Sequence, residues 1–295
     1  MKIALIGSNG QLGTDMMEYF KDRGEEIIGL TQDDIDVCYM DKCEPVLLKI
    51  KPDLIINTAA FHQVDLCEDE GAAAFAVNAV GVKNLCNISL SLDVPLMHFS
   101  TDFVFGEDTK RTKPYTEDDC PGPVSLYGIS KLAGEYVIKY MLKKYYLIRS
   151  SGLYGYAGCF GKGSNFVDMM INLARDGKKI TVVNDQILTP TSTKDMTEKL
   201  HELVGTGKYG LYHMTNNGEC SWYDFTVEIF KLAGITADVT PILSSEYVAK
   251  ARRPFYSVLD NKHLREAGIT DFRPWKEALK DYIDTKYVKG THSLT

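Results

Sequence analysis

Tyr127 and Lys131 stand four residues apart in Leu126-Tyr127-Gly128-Ile129-Ser130-Lys131. In a helix, positions i and i+4 share one face, so a phenol and an ammonium would reach the same ligand. A free phenol ionises near pH ~10. A neighbouring cation favours the phenolate, which would let the hydroxyl exchange a proton with a substrate oxygen closer to neutrality. Taken alone, the pair fits an amphipathic surface helix equally well.

A second group of residues gives the pair a context. Met1-Lys2-Ile3-Ala4-Leu5-Ile6 reads as a short buried parallel strand, and Gly7-Ser8-Asn9-Gly10-Gln11-Leu12-Gly13 follows it and opens a helical pattern through about Arg23. Glycines at 7, 10 and 13 fit a tight turn, a close approach of backbone to a pyrophosphate, and close packing of helix on strand. The unpaired N–H groups and partial positive charge of the helix N-terminus favour an anion there. Gly7, Asn9, Gly10, Gln11, Leu12 and Gly13 are therefore candidate ligands of a dinucleotide. The alternative is an ordinary strand-to-helix turn.

These residues must be held by a sizeable core, and 295 residues suit one large α/β domain with a smaller lobe. The net charge of −7 argues against nucleic acid as main partner, because phosphate backbones need a basic stripe. The sequence has no apolar run read as long enough to span a bilayer, and its first strand begins at the second residue, leaving no room for a signal peptide; a cytoplasmic location is expected. Cysteines at 38, 43, 67, 86, 120, 159 and 220 are odd in number and form no Cys-x-x-Cys pair, so they read as reduced packing residues.

The first half alternates strand and helix. After Ile27–Leu30 come a helix from Asp41 to Ile50, a strand from Asp53 to Asn57, one long helix from about Asp69 to Leu92, and a strand from Pro95 to Phe99. A helix from Tyr127 to Lys143 leads to a strand at Tyr146–Arg149. Apolar strands joined by helices must be covered on both faces, which predicts a Rossmann-type doubly wound parallel sheet over residues 1–151. Ligands of such sheets bind outside the carboxyl ends of the strands, where Gly7, Asn57-Thr58-Ala59-Ala60 and Ser100-Thr101-Asp102 fall. Residues 152–295 are expected to form mainly a smaller substrate-binding lobe. Helices are predicted at 165–175, 193–203, 221–232 and 275–287 and strands at 180–183 and 210–214, with some segments returning to the sheet.

Together these motifs carry a resemblance. Gly-x-x-Gly-x-x-Gly at 7–13, Asn57-Thr58-Ala59-Ala60, Ser100-Thr101-Asp102 and Tyr127-Gly-Ile-Ser-Lys131 resemble, in order and spacing, the extended short-chain dehydrogenase/reductase family. Within it, Ser100-Thr101-Asp102-Phe103-Val104-Phe105 and Lys131-Leu132-Ala133-Gly134-Glu135 are similar to the dTDP-4-dehydrorhamnose reductase group. Asn165-Phe166, Val183–Gln186, Pro190-Thr191, Gly210–His213, Ser221-Trp222, Arg253-Pro254 and Ser257 extend the likeness over nearly the whole chain.

The resemblance implies a nicotinamide cofactor on the 7–13 loop and hydride transfer to the C4 carbonyl of a dTDP-linked 6-deoxy-4-keto sugar. Tyr127 would protonate the carbonyl oxygen. Lys131 would lower the tyrosine's pKa and bond the cofactor ribose, and Thr101 would donate to the same oxygen. Asn57, Ala59 and Ala60 would line the cofactor and Asn78 would brace its site, although either asparagine could simply satisfy backbone. Asp36 could accept from the adenine or belong to a solvated acidic loop. Asp102, Phe103, Asn165, Gln186, Thr191 and Arg253 are the candidate substrate ligands; Arg252 or neither arginine could take the diphosphate. Trp222 reads as packing, and His62, His98 and His213 as core or loop residues without metal-ligand spacing.

The chain departs from the group at Gly152, where a tryptophan is usual, and at His62, where a threonine is commoner, so the hexose stays open. Leu30-Thr31-Gln32 carries neither the acid that favours NAD nor an arginine that favours NADP; the resemblance implies NADPH with NADH possible. A homodimer and a contribution from Mg2+ are left open. Phe103 stands where a dehydratase needs a glutamate. An epimerase of the same family or a non-catalytic regulatory subunit with this fold remains as an alternative.

Overall fold

The computed structural model describes residues 1–157 and 163–288, so Cys159 lies outside the described residues. The first half runs β1 (Lys2–Ile6), α1 (Gln11–Asp22), β2 (Glu26–Leu30), α2 (Met40–Ile50), β3 (Leu54–Asn57), α3 (Val64–Asp69), α4 (Gly71–Phe75), a π-helical turn (Ala76–Gly81), α5 (Val82–Leu92), β4 (Leu96–Thr101), α6 (Leu126–Met141) and β5 (Tyr145–Ser150). The second half continues with β6 (Leu153–Tyr154), α7 (Phe166–Arg175), β7 (Ile180–Val183), β8 (Ile187–Leu188), β9 (Thr191–Ser192), α8 (Thr193–Thr206) and β10 (Gly210–His213). It ends with β11 (Cys220–Ser221), α9 (Trp222–Ala233), β12 (Val239–Ile242), α10 (Lys262–Glu266) and α11 (Trp275–Ile283).

Six parallel strands form one sheet in the order β2-β1-β3-β4-β5-β10. Alternate side chains feed two cores, as the period of a strand requires. Ile3, Leu5, Ile56, Met97 and Ile148 pack with Met16 and Phe20 of α1 and Met196 and Leu200 of α8. Ala4, Ile6, Ile55, Leu96 and Leu147 pack with Leu47 of α2, Leu85 and Ile88 of α5 and Ile138 of α6. Residues of the second half thus supply both an edge strand and a covering helix of the doubly wound sheet. A third core joins α7, α9, α11 and β7 through Ile171, Ile180, Phe225 and Leu279 and forms the smaller lobe.

The long helix expected from Asp69 to Leu92 is instead α4, the π-turn and α5, preceded by α3. Glu70 breaks the α3–α4 junction at φ −114°, ψ 45°. The Gly71–Leu92 stretch reaches membrane length at a mean hydropathy of 1.2, but half of it is buried within the protein. Likewise α11 ends at Ile283 and the chain continues as a π-helical turn, Asp284–Val288, rather than as α-helix to Tyr287.

Helix α6 rests on two glycines. A Cβ on Gly128 would lie 2.2 Å from Phe103 O, and one on Gly134 would lie 2.3 Å from Asn78 O, so no other residue allows this approach. We expect Gly128→Ala to cost about 1–3 kcal/mol through overpacking, seen as a fall in thermal midpoint. Gly205→Ala in α8, where a Cβ meets nothing within 4 Å, should be neutral or stabilising. Equal midpoints for the two variants would refute this account of α6.

Candidate active site

Helix α6 is aimed at the end of β4 by its first turn. Ser125 caps it, its hydroxyl accepting from Gly128 N at 3.2 Å, and Glu68 Oε1 accepts from Leu126 N at 2.9 Å. Two positions of the helix then meet two positions of the strand. Lys131 lies against His98, and Glu135 against Ser100, whose hydroxyl donates to Glu135 Oε1 at 2.6 Å. Four helical residues rise about 6 Å and two strand residues about 6.6 Å, so the i,i+4 pair matches the i,i+2 pair.

Lys131 is almost fully buried at 2% exposure. Its Nζ donates to Phe99 O at 2.6 Å and stands 3.4 Å from His98 Nε2. Burial pulls its pKa down to about 8, partly opposed by the Glu135 charge. That carboxylate is mostly engaged by the Arg149 fork, with contacts of 2.8 and 2.6 Å. Tyr127 packs edge-to-face on Phe103, with ring centroids 5.6 Å apart. Part of its ring touches solvent, yet burial of the hydroxyl pushes its pKa well above the ordinary value; a hydrogen bond with Thr101 opposes this, and the Asp102 charge adds to it. The sequence expectation that Lys131 lowers the phenol's pKa is not what sets it here: burial decides the direction, and the groups acting on the phenol are Thr101, Asp102 and Cys67. The phenol stays protonated, which is the form a proton donor needs.

Thr101 closes β4. Its hydroxyl donates to Asp102 Oδ1 at 3.1 Å and accepts from Phe103 N at 3.2 Å. Asp102 is buried with no cation beside it among the described residues; Ser151 and Ser257 hydroxyls donate to its Oδ2 at 2.7 and 2.6 Å. Burial raises its pKa and the three hydroxyls oppose this. Ser257 thus ties the C-terminal half to the loop that follows β4, a contact that sequence spacing could not reveal.

At the other end of the cleft, Gly7 takes a left-handed φ of 83° and a Cβ there would meet Thr58 Oγ1 at 2.5 Å. A Cβ on Gly13 would lie 2.3 Å from Gly7 O, whereas one on Gly10 meets only Gly7 O at 3.4 Å. Gly10 precedes α1 without any side-chain cap, so the helix terminus presents free backbone toward the cleft. Asn9 is exposed, Leu12 is buried in the core, and Gln11 Oε1 accepts from Gly155 N at 3.0 Å. Asn57 Oδ1 accepts from Ala59 N at 3.1 Å, and its Nδ2 faces His98 Nδ1 at 3.0 Å; Ala60 is half-buried beside them. Asn78 bridges Phe61 backbone and Ser130 Oγ at 2.9–3.0 Å. Asp36 accepts from Cys38 N at 3.0 Å.

The candidate substrate ligands scatter more widely. Asn165 caps α7, and both its amide hydrogens go to protein, to Gly155 O and Tyr282 Oη. Thr191 is fully buried in β9 and donates to Thr189 O at 3.2 Å. Gln186 donates to Ser244 Oγ at 3.2 Å. Arg253 forks onto Asp65 at 3.2 and 2.8 Å, which links the 251–259 segment to α3. Gly152 takes φ 53°, and a Cβ there would stand 2.9 Å from Leu188 Cδ1. A larger side chain at 152 would be strained by this backbone and would need Leu188 to shift.

The sequence marked His98 as a core or loop residue, and it is buried in β4; what spacing alone did not show is its place beside Lys131. The signal was present as polar residues at 98 and 100 within an otherwise apolar strand, opposite Lys131 and Glu135 spaced by one helical turn.

The chain is similar to a dTDP-4-dehydrorhamnose reductase structure from Clostridium acetobutylicum, at 40% identity and a TM-score of 0.91, covering 97% of this chain and 99% of that one. A dTDP-4-dehydrorhamnose reductase from Bacillus anthracis in complex with NADP is 35% identical with a TM-score of 0.90, covering 96% and 99%. The spore coat polysaccharide biosynthesis protein SpsK of Bacillus subtilis is 37% identical over 97% of this chain and 98% of its own length. Residues 1–288 match the family model described as RmlD substrate binding domain, and the chain belongs to that family.

Proposed function

We propose that this chain is a cytoplasmic NADPH-dependent reductase that converts dTDP-4-dehydrorhamnose to dTDP-L-rhamnose for surface polysaccharide. The observation that carries the reading is the meeting of Thr101, a protonated Tyr127 and a buried Lys131 at the end of β4, across from an uncapped glycine turn. That turn fits a dinucleotide: Gly7, Asn9, Gly10, Gln11, Leu12 and Gly13 would hold the pyrophosphate through backbone, with Asn57, Ala59 and Ala60 along one wall. Asn78, bonded to Phe61 backbone, would brace that wall, and Asp36 would accept from the adenine. Absence of an acid at Leu30-Thr31-Gln32 and the NADP held by the Bacillus anthracis relative favour NADPH over NADH.

When bound, the nicotinamide supplies a hydride to the C4 carbonyl. Tyr127 gives its proton to the carbonyl oxygen, and Thr101 turns its single hydroxyl proton from Asp102 to that oxygen as charge builds there. Lys131 as the cation would steady the resulting phenolate and would be the residue to hold the cofactor ribose. Asp102, fixed by Ser151 and Ser257, holds Thr101, and Phe103 fixes the Tyr127 ring. Gln186 and Arg253 would be the donors to the sugar nucleotide, while Asn165 and Thr191, whose hydrogens go to protein partners, would only shape its pocket.

Incubation with NADPH and dTDP-4-keto-6-deoxy-L-mannose should give loss of nicotinamide absorbance and formation of dTDP-L-rhamnose, more efficiently than with NADH. Turnover of another keto sugar nucleotide with none of this one would remove the substrate and keep the class. Tyr127→Phe should lose about 10²–10⁴-fold in kcat; full activity would remove the mechanism. In the free protein Lys131 is charged below pH 8 and neutral above it, so kcat/KM for NADPH should fall as pH rises through about 8. A profile flat to pH 10 would show that the lysine's charge is not required.

A further inference from the structure

Beneath Lys131 lies a chain of hydrogen bonds whose direction is fixed from one end. Ala59 N–H donates to Asn57 Oδ1 at 3.1 Å, so the other end of that amide is the NH2 group, 3.0 Å from His98 Nδ1. Nδ1 must then be the acceptor. Burial and the neighbouring lysine hold His98 neutral, far below its usual pKa, so its one ring proton sits on Nε2 and points at Lys131 Nζ, 3.4 Å away.

An ammonium has no lone pair to receive that proton, whereas an amine has one. Lys131 as an amine would accept from His98 Nε2–H and donate to Phe99 O; as an ammonium it would face another donor. Among the described residues, the remaining titratable or charged groups around it are Tyr127 and Glu135 on α6, with Arg149 of β5 and Lys139 both engaging Glu135, and Asp102 beyond the phenol. None of them fixes the lysine in its neutral form.

We propose that His98, oriented by Asn57, is a positioning residue for the reductase reaction: its Nε2–H favours the amine form of Lys131 over the ammonium, so the lysine gives up its charge at a lower pH than it would without that donor. The inference rests on the reading of Lys131 given above, but its structural half can be tested without turnover. Nitrogen-15 spectra of histidine-labelled wild-type protein should show His98 neutral at pH 7, with Nδ1 unprotonated and the proton on Nε2. An Nδ1–H tautomer or an imidazolium would overturn the proposal, whatever the enzyme's substrate.

The kinetic half compares variants. His98→Leu deletes the donor to the amine, so the alkaline limb of kcat/KM for NADPH should move up by about half a pH unit or more. His98→Gln can keep an N–H donor toward Nζ and should leave the limb near its wild-type position. A limb unmoved in His98→Leu, with only a uniform loss of rate, would mean a merely structural histidine. Should His98→Leu fail to fold, the wild-type tautomer decides.

Discussion

Everything at the active site depends on how closely α6 can lie on the backbone beneath it. Two glycines, at 128 and 134, let the helix touch the carbonyls of Phe103 and Asn78, positions that a single methyl group would block. That descent puts Lys131 over His98 and Glu135 over Ser100, and it carries the Tyr127 hydroxyl out of solvent. The π-turn at Ala76–Gly81 belongs to the same fit, since it places the Asn78 carbonyl against Gly134 and its amide against Ser130.

The buried charges of this region are treated in two ways. Glu135 and Arg149 neutralise each other through a two-pronged contact, with Ser100 and His213 completing the set. Losing either partner would strand the other in a medium of low polarity. Among the described residues, Lys131 and Asp102 receive no such neutralising partner of their own: one leans on a carbonyl and an imidazole, the other on three hydroxyls. Groups left in this condition change protonation state readily, which is a liability in a core and an asset where protons must move.

The sheet and its glycine turn were legible in the sequence because buried strands and phosphate turns have local patterns, and Tyr127, Lys131 and Thr101 converge as their order and spacing implied. Other features were not legible, for physical reasons. The break at Glu70 and the π-turn lie in an alanine-rich stretch whose propensities favour continuous helix. An i,i+4 spacing reports separation but not desolvation, so it missed the upward shift at Tyr127. Asn165 resembles a ligand in sequence and is a helix cap in the fold, and His98 is silent until Asn57 and Lys131 are seen on either side of it. Gly152, noted in sequence only as a departure from the usual tryptophan, proves to take a left-handed backbone beside Leu188, a conformation that spacing does not report.

The sixth strand, β10, begins only at Gly210 and pairs with β5, which ends at Ser150, while α8 covers the face shared with α1. The intervening chain must be synthesised before the sheet can close. A nascent polypeptide halted after β5 would display the unpaired side of that strand and the apolar flank meant for α8, as a template for wrong pairing. Distant pairings of this kind slow folding, because loop closure is bought before any contact repays it. The two halves are accordingly one kinetic unit, and separation at residue 151 would yield a fragment inclined to aggregate rather than a smaller dinucleotide binder.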